Sequence, residues 1–252
     1  MFRFSILAAV ACLIVSSSGC QPGSPYIDPQ PIASSKPDSG PVATSQQAAD
    51  PNVPDAVETV DPATDSRKLF DGVSLDGWKS SRFGGDGEVA VVDGEIDIES
   101  GNPKTGITWT GDPMPTDNYR ISLEAKRTAG IDFFCCLTFP VRQSHCSFVV
   151  AGWSGTVVGL SCVDGQDASN NDTTTLKTFD DNRWYRIEVE VGNDSIQAWI
   201  DGERVIEQPI LGHEFTVRND IVLSVPLGIC TFETDARIRN IVTRRTQNGK
   251  SD

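Results

Sequence analysis

Few side chains in this 252-residue chain could carry chemistry, and most of them fall between residues 130 and 172. His145 is one of only two histidines. A hairpin joining the strands around it would bring it near Asp132, and a carboxylate-oriented imidazole is a suitable general base near neutral pH. The competing reading is a histidine that satisfies its hydrogen bonds at a strand end. His213 sits in a Gly-His-Glu loop and reads as a surface residue. Trp153 lies in Gly-Trp-Ser-Gly, a turn in which an aromatic ring is hard to place as core and could stack on a sugar ring. Ser147 shares the face of His145 by alternation. The loop 164–172 offers Asp164, Asp167 and Asp172 among Asn, Gln and Ser, an oxygen-rich set that suits a sugar or a hard cation such as Ca²⁺. It lacks the ligand spacing of an EF-hand, and a solvated polar loop explains it as well. No other cofactor is implied, and no Cys-x-x-Cys metal spacing, Gly-x-Ser-x-Gly elbow or phosphate-cradling loop is present.

Five cysteines follow Cys20: Cys135, Cys136, Cys146, Cys162 and Cys230. Adjacent Cys135 and Cys136 face opposite sides of a strand, so they cannot serve one small site. Cys135, Cys146 and Cys162 read as buried small hydrophobes, and Cys136 with Cys230 is a candidate bridge.

The elements that must position these groups read as strands. Period-two alternation dominates after residue 67, and helical periodicity is nearly absent. Val89–Val92 and Glu95–Ile98 flank Asp93-Gly94, a hairpin signal. Tyr119–Lys126 alternates, as do Trp184–Val191, Ser195–Ile200 and Arg204–Ile206, with turns at Gly192-Asn193-Asp194 and Asp201-Gly202. Ile131–Val141, His145–Ala151 and Thr156–Val163 carry apolar residues on both faces and should be covered on both. Ile221–Ile229 and Arg237–Thr243 close the set. Within Ile131–Phe139, alternation puts Ile131, Phe133 and Cys135 on one face and Asp132, Phe134 and Cys136 on the other. About twelve short strands with tight turns imply an all-β fold, a jelly-roll β-sandwich of two antiparallel sheets.

The chain before residue 67 is of another kind. Arg3, the apolar run Ile6–Val15 and Ser17-Ser18-Gly19-Cys20 form an export signal over residues 1–20 that resembles a bacterial lipobox, with Cys20 as the acylated residue. Residues 21–66 are rich in Pro, Ser, Ala and Thr and too poor in apolar surface to fold, so they read as a disordered tether. These features predict a protein of the bacterial cell envelope, extracytoplasmic on the periplasmic side or at the outer membrane, held to lipid through Cys20. Residues 67–252 form one domain. Of the formal charge of −14, the signal carries +1 and the tether −6, which leaves −9 on the domain. That acidity disfavours nucleic acid and adhesion to anionic lipid and is compatible with a neutral carbohydrate ligand.

The domain opens with Leu69-Phe70-Asp71-Gly72 and Leu75-Asp76-Gly77-Trp78, continues through a strand like Tyr119–Lys126, then Arg183-Trp184-Tyr185-Arg186-Ile187 and Trp199-Ile200-Asp201-Gly202, and ends on Ile238-Arg239-Asn240-Ile241. In this order the segments resemble the 3-keto-disaccharide hydrolase domain family. The resemblance covers essentially all of 67–252. It implies a concanavalin A-like jelly roll, a setting in secreted and lipid-anchored proteins of planctomycete-type bacteria, and hydrolysis of 3-keto-glycosides by base-initiated elimination and hydration. On that reading His145 is the base, Asp132 orients it, and Trp153, Ser147 and the 164–172 carboxylates bind the sugar. The centre departs from the family, since Asp132–Thr138 replaces its usual Ser-Gly pair and Arg. A non-catalytic domain that binds glycan or protein, or a structural lipoprotein, therefore stays open beside the enzyme.

Overall fold

The computed structural model describes residues 65–246; the export signal, Cys20 and the tether up to residue 64 lie outside the described residues. Fifteen strands follow in chain order. They are β1 (Ser66–Lys68), β2 (Trp78–Ser80), β3 (Val89–Val92), β4 (Glu95–Ile98), β5 (Lys104–Trp109), β6 (Tyr119–Gly130), β7 (Cys135–Val141) and β8 (Ser144–Ala151). Then come β9 (Val157–Ser161), β10 (Thr175–Leu176), β11 (Tyr185–Val191), β12 (Ser195–Ile200), β13 (Glu203–Pro209), β14 (Gly228–Phe232) and β15 (Thr234–Arg245). Eight form one antiparallel sheet in the order β13-β12-β11-β6-β15-β4-β3, with β1 also on β15. Seven form the other in the order β10-β9-β8-β7-β14-β5-β2. The two pack face to face as a jelly-roll sandwich.

Alternation determines what enters the sandwich. Tyr119, Ile121, Leu123 and Ala125 of β6 and Tyr185, Ile187, Val189 and Val191 of β11 are buried in one cluster with Leu137, Phe139, Phe148, Val150, Val158 and Leu160 from the opposite sheet. Each fully buried Leu, Ile or Phe contributes about 1.5–3 kcal/mol relative to exposure. The opening Asp-Gly motif pins the sheet edge. Gly72 and Gly77 both take φ +82°, Trp78 donates its indole N–H to Leu69 O (2.7 Å), and a Cβ on Gly77 would lie 2.5 Å from the ring of Trp109.

The outer faces differ. On the eight-stranded sheet, Trp184 lies under Lys126 and Arg239 and Trp199 under Arg120, while Glu95, Glu124, Glu188 and Glu190 pair with arginines. On the seven-stranded sheet the outer face carries Cys136, Val149 and Cys230, and chain from elsewhere covers it. Ala168, from the loop after β9, packs so closely that a Cβ on Gly159 would lie 2.8 Å from its carbonyl. Thr108 donates to Leu223 O (2.6 Å), fastening a 3₁₀ turn, Asn219–Ser224, over β5 and β14.

Two expected strands are corrected. Ile221–Ile229 is not extended throughout: the 3₁₀ turn occupies its first half, and Pro226, which has no N–H to give a ladder, precedes β14. Ile131–Val141 is extended only from Cys135, because the Phe133 amide donates to Asp132 Oδ1 (2.8 Å) and folds the chain on itself. This bend resets the alternation. Phe134 turns into the sandwich beside Phe179 and Tyr185 with Cys135, and Phe133 goes outward with Cys136.

Candidate functional site

Where the covering segments stop short, the outer face of the seven-stranded sheet opens into a cleft of about 210 Å³. Cys136 of β7, Val149 of β8 and Ser161 of β9 form its floor, and Phe232 of β14 lies along one side. The bend at Asp132 and Phe133, the turn carrying Trp153, and the segment with Arg218, Asp220 and Ile221 form its walls.

Local chemistry fixes each wall. The β8–β9 connection passes through left-handed backbone at Ala151, Trp153, Ser154 and Gly155, with φ from 49° to 94°. Such backbone costs about 1–2 kcal/mol at each non-glycine position and persists where its surroundings enforce it. Asp132 supplies that enforcement: the amide of Ser154 donates to its Oδ2 (2.9 Å), and its own amide donates to Thr234 Oγ1 (3.1 Å). At Gly155 a Cβ would sit 2.7 Å from Ile131 O, so the turn and the bend are pressed together. Trp153 keeps 40% of its surface exposed at the rim.

The wall formed by Arg218 and Asp220 is charged. Arg218 donates from Nη1 to Asp167 Oδ2 (3.0 Å) and from Nε to Asp220 Oδ1 (3.1 Å), and Lys104 Nζ reaches Asp220 Oδ2 (3.2 Å). Burial works against ionisation of both carboxylates, yet each is held below the usual range. For Asp167 the Ser169 hydroxyl and amide, Asn170 and Arg218 prevail; for Asp220 Arg218 and Lys104 do. The cleft therefore combines aromatic and aliphatic surface with a fixed guanidinium and two carboxylates. A ring-shaped ligand with polar edges fits that combination.

The structure does not bring His145 to Asp132. His145 pairs with Pro140 across the β7–β8 ladder, while Asp132 precedes Cys135, the partner of Val150. Five residue steps from Cys135 to Pro140 already span about 17 Å. His145 lies toward the β7–β8 turn, and Asp132 lies beyond the far end of β7. Burial lowers the pKa of His145, favouring neutral imidazole. Ser147, expected to bind the sugar, is fully buried, exchanges a 2.8 Å hydrogen bond with Thr138, and does not line the cleft.

The 164–172 loop divides its acids. Asp167 supports Arg218 at the cleft. Asp164 accepts from the amide of Glu214 (2.8 Å) and pairs with His213 Nδ1 (2.7 Å), and these two contacts lower its pKa in that order. Asp164, Asp172 and His213 line a separate polar recess of about 100 Å³. Among the described residues no group of three or more His, Cys, Asp or Glu is arranged to hold a metal ion. All five cysteines of the domain are buried thiols.

Arg218, Asp220, Ser161, Phe133 and Phe232 complete the cleft without having been expected there. Phe133 was assigned to the other face by unbroken alternation, and Arg218 and Asp220 stand just before a segment whose apolar run reads as strand. The adjacent Asp and the nearby Pro226 were the only local signals against a strand.

A model of the 3-keto-alpha-glucoside-1,2-lyase-like domain matches residues 65–244. The comparison with curated proteins finds no match. Among solved structures, the chain is similar to a protein provisionally described as a glycosyl hydrolase from Parabacteroides distasonis ATCC 8503, with 14% identity, 72% of this chain and 94% of that chain covered, and a TM-score of 0.48. It is also similar to the carbohydrate binding module CBM66 from Bacillus subtilis, with 14% identity, 66% and 94% covered, and a TM-score of 0.43. A third is domain 4 of AbnA, an extracellular arabinanase from Geobacillus stearothermophilus in complex with arabinotriose, with 14% identity, 68% and 84% covered, and a TM-score of 0.43.

Proposed function

We propose that this chain, which belongs to the 3-keto-alpha-glucoside-1,2-lyase-like domain family, is a carbohydrate-active protein that takes a 3-keto-glycoside into the cleft between Trp153 and Arg218. The observation that carries this reading is the joint presence there of an exposed aromatic ring, the Asp132 carboxylate and the Arg218 guanidinium. A ketone at C3 of the sugar acidifies the proton on C2. A base removes that proton, the electrons form an enolate, and the C1–O bond breaks to release the aglycone; addition of water completes net hydrolysis. Asp132 is the carboxylate held against the Trp153 turn, and in this reading it takes the base role first given to His145. Arg218 supplies fixed positive charge where the enolate oxygen develops.

The test is release of free sugar from a 3-keto-disaccharide by the purified domain. Asp132→Asn should lower kcat by roughly 10²–10⁴-fold, as loss of a general base does. Full turnover by both Asp132→Asn and Arg218→Met would refute the reading. One observation favours a second reading, glycan binding without turnover: both oxygens of Asp132 already accept backbone amides. Wild-type protein that retains a sugar and releases no product would decide for it.

The proposal extends to placement. Acylation at Cys20 would anchor the protein at the cell envelope, with residues 21–66 as a tether whose flexible reach is about 5–6 Å times the square root of its residue number. Cys20→Ala should shift the protein from the membrane fraction to the soluble one.

A further inference from the structure

Two of the five buried cysteines stand in a relationship the others lack. Cys136 of β7 and Cys230 of β14 are direct partners in the antiparallel ladder. Both turn to the outer face, in one apolar cluster with Val149 and Ile221, while Cys135, Leu137 and Ile229 beside them enter the sandwich. Facing residues in such a ladder have Cα atoms about 4.5–5.5 Å apart, within the roughly 4.4–6.8 Å a disulfide spans. On the far side of Cys230 stands Gly106, where a Cβ would lie 2.7 Å from the Cβ of Cys230, so that neighbour leaves it room. Cys136 is also part of the cleft floor, which gives the pair a route to solvent.

We propose that Cys136 and Cys230 are a dithiol site that closes to a cross-strand disulfide beneath the cleft, with a low-molecular-weight or protein disulfide as oxidant. One protein thiolate attacks the oxidant's S–S bond and forms a mixed disulfide, expelling one thiolate. The second protein thiolate then displaces the other. The protein loses two hydrogens, and the oxidant becomes two thiols that carry both protons. The neighbouring Cys230 thiol, followed by burial, raises the Cys136 thiol well above its usual range, so little thiolate exists in the closed sheet. Exchange is therefore fastest while β14 docks on β7 and slow in either direction afterwards.

This inference is independent of the sugar reading, and its test needs no substrate. The full chain is refolded from denaturant with oxidised and reduced glutathione, alkylated in denaturant and mapped by peptide mass. The expected result is a cross-linked peptide pair joining Cys136 to Cys230, two mass units lighter than the dithiol, with Cys135, Cys146 and Cys162 alkylated. Reductant should lower Tm by roughly 5–15 °C, and this shift should vanish in Cys136→Ser/Cys230→Ser. Alkylation of all five domain cysteines, or a bridge between any other two, overturns the proposal.

Discussion

Trp153→Gly separates the cleft's role in binding from its role in the fold. Trp153 exposes 40% of its surface and has φ 49°. Taking about 250 Å² for the residue, roughly 150 Å² is buried and 100 Å² is presented to the cleft. At about 25 cal/mol per Å² the buried part stabilises the fold by about 4 kcal/mol at most, or about 2–3 kcal/mol against a compact unfolded chain. Glycine relieves the left-handed backbone by about 1 kcal/mol. The net loss should be about 1–2 kcal/mol, a fall in Tm of roughly 2–8 °C for a domain of this size. A sugar ring that covers the exposed 100 Å² loses about 2.5 kcal/mol of contact, which corresponds to about 70-fold in Kd. Calorimetric titration with a bound glycan measures the second quantity and urea denaturation the first, with Trp153→Phe as the variant that keeps a ring. Affinity within twofold of wild type in Trp153→Gly would refute the cleft as the ligand site. A stability loss beyond about 4 kcal/mol would refute the reading of Trp153 as a rim residue.

Other consequences are more local. His145→Gln should leave turnover and sugar affinity unchanged, because His145 pairs with Pro140, away from the cleft. Burial lowers the folded pKa of His145, so the unfolded chain binds more protons as pH falls below about 6.5. Wild-type stability should therefore drop from about pH 6.5 toward the folded value, and His145→Gln should flatten that decline in urea midpoints taken at several pH values. Asp164, Asp167 and Asp220 have the opposite arrangement, with folded values depressed. Their contribution is present above about pH 3.9 and is lost as pH falls through the folded values, which acid titration of the fluorescence should show. Asp220→Asn removes the partner of Lys104, whose side chain is 10% exposed, and should destabilise by about 1–2 kcal/mol at pH 7 in urea denaturation. Gly159→Val places side chain against the Ala168 carbonyl and should cost about 1–3 kcal/mol while making the 164–174 loop a site of limited proteolysis.

The sheets were legible because their signals are local and redundant. Val89–Val92, Glu95–Ile98 and Ser195–Ile200 occur as expected: Glu95–Ile98 and Ser195–Ile200 join alternation to a turn, and Val89–Val92 is marked by the Asp93-Gly94 turn that follows it. The expectation that β7–β9 would be covered on both faces holds too, for their outer side carries Val149 and Cys136 as well as Ser147. The site was far less legible. Alternation assumes an unbroken strand, and a single side-chain hydrogen bond at Asp132 breaks it, exchanging the destinations of Phe133 and Phe134. The expectation that a hairpin would bring His145 near Asp132 fails on register, since His145 pairs with Pro140. Arg218 and Asp220 could not be placed at all, because only the return of the chain over the sheet brings them into the cleft with Trp153.

These misses share a cause that bears on how the cleft works. The polar and aromatic groups on its walls come from interruptions in regular structure: the bend at Asp132, the left-handed turn at Trp153, and the 3₁₀ turn after Arg218. Regular strands supply the floor and, through Phe232 of β14, one side. The walls are coupled, because the Asp132 carboxylate holds the amide of Ser154, next to Trp153. Removing the carboxylate thus removes both a charge and the restraint on the aromatic ring. Asp132→Asn keeps an oxygen acceptor for the Ser154 amide and should lose turnover while retaining affinity. Asp132→Ala loses the acceptor as well and should also weaken sugar binding toward the level of Trp153→Gly. Equal affinity in the two variants would mean that the turn is held by its own backbone and by Gly155, with Asp132 serving the ligand alone.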